Sequence, residues 1–280
     1  MSMFYRHLRN ELWKLFGKKR TYIGFGAFLV AQAAMVLMLR YSRASQGMVR
    51  QLETNGYSAQ HLISSLTVAT VMLLPIAYVL LPLYVTLVGG DLVAKEAEDG
   101  TLRMILSRPI SRFRLLLVKW VAGSVFSVLL VFVLGLIGMV FASFFFPWGG
   151  LFAFVPGELF TILDPPSGLQ HYVAAHGLLT LKACTLLSLA FMFSCFNVKP
   201  AAATILALSV FFVSWVMMNI PFLKDLQPWF FTYHLNLWQS MLASPVPWSK
   251  VLMSLSLLLG FNLTFLVVGC TAFQVRDIKS

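Results

Sequence analysis

Four of the ten acidic residues in this 280-residue chain fall between Asp91 and Asp99: Asp91, Glu96, Glu98 and Asp99. Six of its 21 basic residues, Lys95, Arg103, Arg108, Arg112, Arg114 and Lys119, share the same connection. Carboxylates grouped beside cations suit charge-assisted docking onto a basic partner surface, where each buried charge partner is worth about 2–5 kcal/mol. They do not suit general acid–base chemistry, because no Ser/His pair, paired Asp or metal constellation stands at one depth to complete such a site.

Lys182 is the other residue of chemical interest. An ammonium inside an apolar run is costly, so it marks a candidate lining of a translocation path where an anionic group would meet it. Two other readings stay open: the side chain snorkels, or Tyr172–Leu181 is an interfacial turn and the span starts later. His61, His171, His176 and His234 lie in or near segments on one side of the spans, without a His/Met spacing that forms a metal site. Cys184, Cys195 and Cys270 sit in apolar stretches with no CxxC or zinc spacing, and read as small core residues.

Local rules shape the charged connection. Asp91 is placed to N-cap a short helix from which Glu96 and Glu98 project. Gly100 ends that helix. Thr101 caps a second helix ending at Ser107, because Pro109 cannot continue it and holds Arg108 extended. Ser111 caps a third helix running through Lys119. Helix–Gly–helix–Pro–helix is two rods joined at fixed elbows, able to transmit force; a well-capped solvated connection is the plainer reading.

The frame around it is a membrane protein. Hydrophobic residues make up 59% of the chain and charged residues 11%, with a mean hydropathy of +0.82. Soluble domains run at about 45–50% apolar and about 25% charged. Six stretches meet the roughly 20 residues needed to cross a bilayer. They are Thr21–Leu39, Leu66–Val88, Val121–Phe146, Tyr172–Phe196, Ala201–Ile220 and Val251–Val275. Their even apolarity excludes the alternating strands of a barrel. The fold class is therefore all-α: six transmembrane helices in one domain over residues 1–280. Residues 1–20 form an amphipathic interfacial helix or a basic anchor, with Phe4, Leu8, Leu12 and Leu15 at helical spacing. Residues 89–119 form the connection above, and residues 221–250 an outer interfacial segment rich in aromatics, including Trp229, Phe230, Tyr233, Trp238 and Trp248. Ala31-Gln32-Ala33 imitates a signal-peptide cleavage site, but the apolar run continues through Leu39. Pro75 and Pro82 are expected to bend the second span, as a hinge or a static kink.

The net charge of +11 does not point to nucleic acid, because the basic residues cluster beside the spans. Fifteen of them fall on one side and five on the other, with Lys182 inside a span. That bias places both termini in the cytoplasm.

These residues resemble the permease subunits of type-2 ABC transporters. The resemblance rests on Glu96 and Glu98, Gly100-Thr101-Leu102, Ile105-Leu106-Ser107-Arg108-Pro109, Ser111-Arg112 and Lys119. Glu11 in the basic N-terminal helix, and Phe273 with Arg276-Asp277 at the other end, agree with it. The resemblance implies that Glu96, Glu98, Asp99, Gly100, Thr101, Leu102, Ser107, Arg108 and Pro109 couple the chain to an ABC ATPase subunit. It also implies a second permease copy, identical or related, that shares the substrate path, and an exporter in the plasma (inner) membrane. The sequence has no G-x-x-x-x-G-K-[ST] phosphate loop, so the chain is expected to hold no cofactor and ATP to bind the partner subunit. An ATP-independent secondary transporter or channel is the alternative. It would want paired intramembrane charges or an inverted repeat, and Lys182 has no acidic partner within the spans.

The charge bias generates a test of orientation. A cysteine placed at Asp164 is expected to react with an impermeant maleimide on intact cells, and one placed at Asp99 only after permeabilisation. The reverse pattern would invert the topology.

Overall fold

A computed structural model describes residues 3–41, 44–54, 56, 62–107, 110–155 and 159–276. In hydrocarbon every backbone polar group must bond within its own segment, so the apolar runs become helices. Among the described residues, six helical stretches are long and apolar enough to cross a bilayer. After α1 (Met3–Gly17) comes the first of these, α2 (Lys19–Tyr41), then the short α3 (Ala44–Thr54). The second is composite: α4 (Ser65–Pro75), a π-helical segment (Ile76–Leu80) and α5 (Leu81–Glu98). A one-turn α6 (Thr101–Leu106) precedes the third, α7 (Arg112–Phe145). The fourth is α8 (Pro165–Cys195) and the fifth α9 (Pro200–Met218). A 3-10 stretch (Pro221–Trp229), α10 (Phe231–His234) and α11 (Leu237–Ser240) lead to the sixth, α12 (Trp248–Val275).

The second span departs from its expected end. It runs past Val88 to Glu98, so Asp91 does not cap a helix but lies in the middle of α5, where Arg20 pairs with it at 3.2 Å. The residues from Leu87 to Ala97 contain no proline, and the pair Gly89-Gly90 does not break the helix because two other helices close on it. A Cβ at Gly89 would stand 2.7 Å from the Leu187 carbonyl oxygen and 2.9 Å from Ala190 Cβ; one at Gly90 would stand 2.5 Å from Thr204 Oγ1. The missing side chains let α5 meet α8 and α9 backbone to backbone, as small residues do in membranes. The prolines Pro75 and Pro82 flank the π segment, a common local answer to a disturbed helical ladder.

Helix α8 is the most buried of the six and packs against α5, α7, α9 and α12. It begins at Pro165, so Tyr172–Leu181 is regular helix and not an interfacial turn. The outer helices bury one stripe each. In α12 the stripe is Val251, Ser254, Leu258, Asn262, Leu266, Gly269 and Phe273, three or four residues apart, while Leu252, Met253, Leu259, Leu263 and Val267 are exposed. A polar chain joins three helices inside the bundle. Trp120 Nε1 donates to Ser188 Oγ at 2.8 Å, and Ser188 donates to Asn262 Oδ1 at 2.7 Å. Asn262 Nδ2 donates in turn to Thr185 Oγ1 at 2.7 Å.

The all-α membrane body carries one addition. Between α7 and α8 lies an antiparallel hairpin, β1 (Leu151–Val155) and β2 (Leu159–Leu163), registered Leu151↔Leu163 and Phe152↔Ile162. Ser64 and Thr67 pin it to the start of α4: Ser64 Oγ donates to the Gly150 carbonyl at 2.6 Å, and Thr67 Oγ1 accepts from Phe152 N at 2.9 Å. A search for runs of twenty apolar residues does not see five-residue strands.

The glycine packing makes a direct prediction. Gly89→Ala is expected to cost about 1–3 kcal/mol by overpacking against backbone. Gly26→Ala has open space around its Cβ and is expected to be neutral or slightly stabilising. Thermal unfolding of the two variants in one detergent checks the difference; equal melting temperatures would refute the close approach.

Candidate functional site

The elbow is built from the end of α5. The Asp99 amide bonds the Lys95 carbonyl at 2.9 Å and the Gly100 amide the Ala97 carbonyl at 3.3 Å, and Gly100 then turns the chain at φ +72°. That left-handed position suits glycine. Thr101 is not a cap that accepts an amide: it is the first residue of α6, and its Oγ1 donates back to the Glu96 carbonyl at 3.3 Å. Leu102 is buried in the core and Ile105 packs against it, whereas Met104 and Ser107 face outward. Ser111 caps α7 by accepting from Arg114 N at 3.3 Å. Arg108 and Pro109 lie outside the described residues.

Glu96 and Glu98 do not share a face. Positions two apart on a helix stand about 200° around its axis, and the structure sends these two to different partners. Glu98 and Asp99 bond Lys95 at 2.8 and 3.0 Å and remain 42% and 49% exposed. Glu96 turns inward, where its Oε1 meets Lys119 Nζ at 2.7 Å and Lys14 Nζ at 3.2 Å. Glu11 completes the ring, with Oε2 at 2.9 Å from Lys119 and Oε1 at 2.8 Å from Lys14. Two carboxylates and two ammoniums thus alternate among α1, α5 and α7, and the Lys119 side chain is only 1% exposed. Burial alone would push the Glu11 carboxyl up; Lys119 and Lys14 outweigh it and hold the group below its ordinary 4.5. Burial likewise works against the Lys14 charge, and Glu11 and Glu96 more than offset it, raising that group.

The same end of the bundle is laced further. Arg112 donates to the carbonyls of Gln274 at 3.1 Å and Arg276 at 3.3 Å, capping the last turn of α12 with a cation. Arg276 donates to the Phe196 carbonyl at 3.0 Å and to Asn197 Oδ1 at 2.8 Å.

Lys182 lies away from this cluster, deep in α8 and 1% exposed, so it does not snorkel. Its Nζ stands 4.7 Å from the centroid of the Tyr78 ring, a cation–π geometry. Gln239 Nε2 donates to Tyr78 Oη at 3.1 Å. The histidines are dispersed: His171 meets the Met241 carbonyl, His176 the Tyr172 carbonyl, and His234 lies between Ser254 Oγ and the Pro228 carbonyl. His61 lies outside the described residues.

Sequence reasoning singled out Glu11 and Lys119 separately and missed that they meet Glu96 and Lys14. A signal was present in Glu11 and Lys14, three apart on one helix. Nothing in the sequence pairs residues 82 or 108 positions apart.

Six spanning helices and a rigid, ion-tied elbow beyond them define a multi-pass membrane protein with a built element outside the bilayer. Residues 11–228 match the family model described as ABC-2 family transporter protein, and the chain belongs to that family. The family's description makes it a transporter membrane protein. The chain is also 30% identical over 112 residues to the uncharacterized protein YhcI of Bacillus subtilis (strain 168). That alignment covers 37% of this chain and 34% of YhcI, so the chain spans about a third of its relative's length.

The ion ring predicts a coupled response. Lys119→Met leaves two carboxylates facing each other and is expected to cost about 3–5 kcal/mol, as removal of one buried partner does. Adding Glu11→Gln should return part of that loss, with a coupling of about 0.5–3 kcal/mol. Because the Glu11 pKa is lowered in the folded chain, its contribution is complete above 4.5 and fades as pH falls through the lower folded value. Unfolding measured from pH 7 to pH 3 should show a smaller acid loss in Glu11→Gln than in the parent chain.

Proposed function

We propose that this chain is the path-forming subunit of an ATP-driven exporter in the plasma membrane. It pairs with a second permease copy, and a separate ATPase subunit that holds the ATP docks on the elbow from the cytoplasm. The observation that carries this reading is the mechanical continuity of the elbow. Leu102 roots α6 in the core, Gly100 fixes its angle to α5, and Glu96 ties α5 to α1 and α7. A displacement of α6 is therefore passed to the second span and to the N-terminal helix together. Glu98, Asp99 and Met104 are the exposed groups that a partner would meet, with Thr101 and Ser107 beside them; Arg108 and Pro109, next in the sequence, are proposed to act with them. Lys182 belongs to the same reading: it stands behind Tyr78, on the π segment of the span that the elbow moves, and rearrangement there would bring it onto the path.

The test uses the chain assembled with its ATPase. A Cβ at Gly100 meets nothing within 4 Å, so Gly100→Val acts through backbone strain alone, at about 1 kcal/mol or more. Gly100→Val and Glu98→Lys are expected to express and insert normally yet lose transport-linked ATPase stimulation. Normal hydrolysis and transport by both would show that the elbow is only a well-capped connection.

A further inference from the structure

At the opposite end of the bundle from the elbow, a cavity of about 410 Å³ opens between the last turn of α9, the segment after it and the first turn of α12. Its size lies within the about 300–1,000 Å³ of ligand sites. The polar wall carries Asn236, Ser240, Tyr233 and Lys250, together with Gln239, which is nine-tenths buried. No carboxylate among the described residues lines it. Among the described residues, the side-chain polar atoms of Asn236, Ser240 and Tyr233 have no hydrogen-bond partner, and Lys250 has no acidic partner. Polar groups therefore converge on this space with one positive charge and no lining carboxylate to neutralise it. A cation is the wrong occupant. A neutral sugar brings no charge to meet Lys250, whose Nζ stands 5.3 Å from the centroid of the Tyr233 ring. A phosphate supplies the negative charge that the wall lacks and can accept from the Asn236 amide and the Ser240 and Tyr233 hydroxyls.

The level of the cavity selects the source of that phosphate. Phe222 and Trp229, in the 3-10 stretch that supplies the lining Gln227, and Trp248, next in the chain to the lining Pro247, are exposed at 91%, 83% and 60%. Exposed aromatics of this kind belong at the headgroup layer of a bilayer. We propose that the cavity binds the phosphate of an anionic phospholipid headgroup, with Lys250 as the charged partner and Asn236, Ser240 and Tyr233 as neutral donors. Gln239 links this site to the interior, because the same side chain that lines the cavity bonds Tyr78 Oη. The inference stands on the chemistry of the cavity and does not depend on the coupling role of the elbow.

Native mass spectrometry of the full chain in a mild detergent tests it. The probes are phosphatidylglycerol, a diglucosyl diacylglycerol with the same acyl chains, and inorganic phosphate. Phosphatidylglycerol is expected to be retained, the glycolipid weakly and inorganic phosphate not at all. Lys250→Gln and Asn236→Leu should each lower phosphatidylglycerol retention about tenfold or more, the loss of one charge-assisted contact, and Lys250→Arg should restore it. Lys250 is exposed, so Lys250→Gln is expected to keep the parent melting temperature. Unchanged phosphatidylglycerol binding by both variants, or equal retention of the glycolipid, would overturn the proposal. Binding of inorganic phosphate without the lipid would replace it with a free-phosphate site.

Discussion

An ammonium group removed from water is held in place only if opposite charge reaches it from within the fold. Lys119 is such a group, buried near the start of α7 between Glu11 and Glu96, with Lys14 closing the ring. Breaking one member leaves an uncompensated charge, which is far more costly than replacing the whole set by apolar groups. The ring therefore fixes geometry more than it adds net stability. It commits α1 to lie across α5 and α7, and that commitment decides where α6 points when the chain leaves α5 at Gly100.

Within the membrane the bundle cannot rely on the hydrophobic effect to choose its contacts, since lipid tails are as apolar as leucine. Close approach and polar bonds take over. Gly89 and Gly90 bring α5 onto α8 and α9, and Ser188, Thr185 and Asn262 bond α8 to α12. Gln32 does the same for α2, donating to the Leu134 carbonyl at 2.9 Å. These contacts leave the outward faces of α2, α9 and α12 to lipid, which explains why their buried residues form single stripes.

The second span connects the two ends of the molecule. Its last turn carries Glu96 in the ion ring, and its π segment carries Tyr78, which lies under Lys182 and accepts from Gln239. A π segment is a place where a helix can change register at low cost, and such segments recur at functional sites. The elbow thus ends the same span whose π segment is tied through Gln239 to the polar cavity.

The sequence by itself determined the class, the number of spans and the place of the elbow. Each of these follows from local physics: apolar run length against bilayer thickness, the left-handed preference of Gly100, and the capping of α7 by Ser111. What the sequence could not decide was direction. Glu96 and Glu98 look alike in a string of carboxylates, yet one is buried in an ion ring and the other is exposed. Asp91 looks like a cap and proves to be the partner of Arg20 in mid-helix, because nothing between Leu87 and Ala97 ends the helix. The uniformly apolar spans hide which of their faces is buried, and the hairpin at Leu151–Leu163 is too short for a span-length pattern. Only the tertiary structure settles these points, because a charge or a helix face acquires its role from residues far away in the chain, and local spacing carries no record of them.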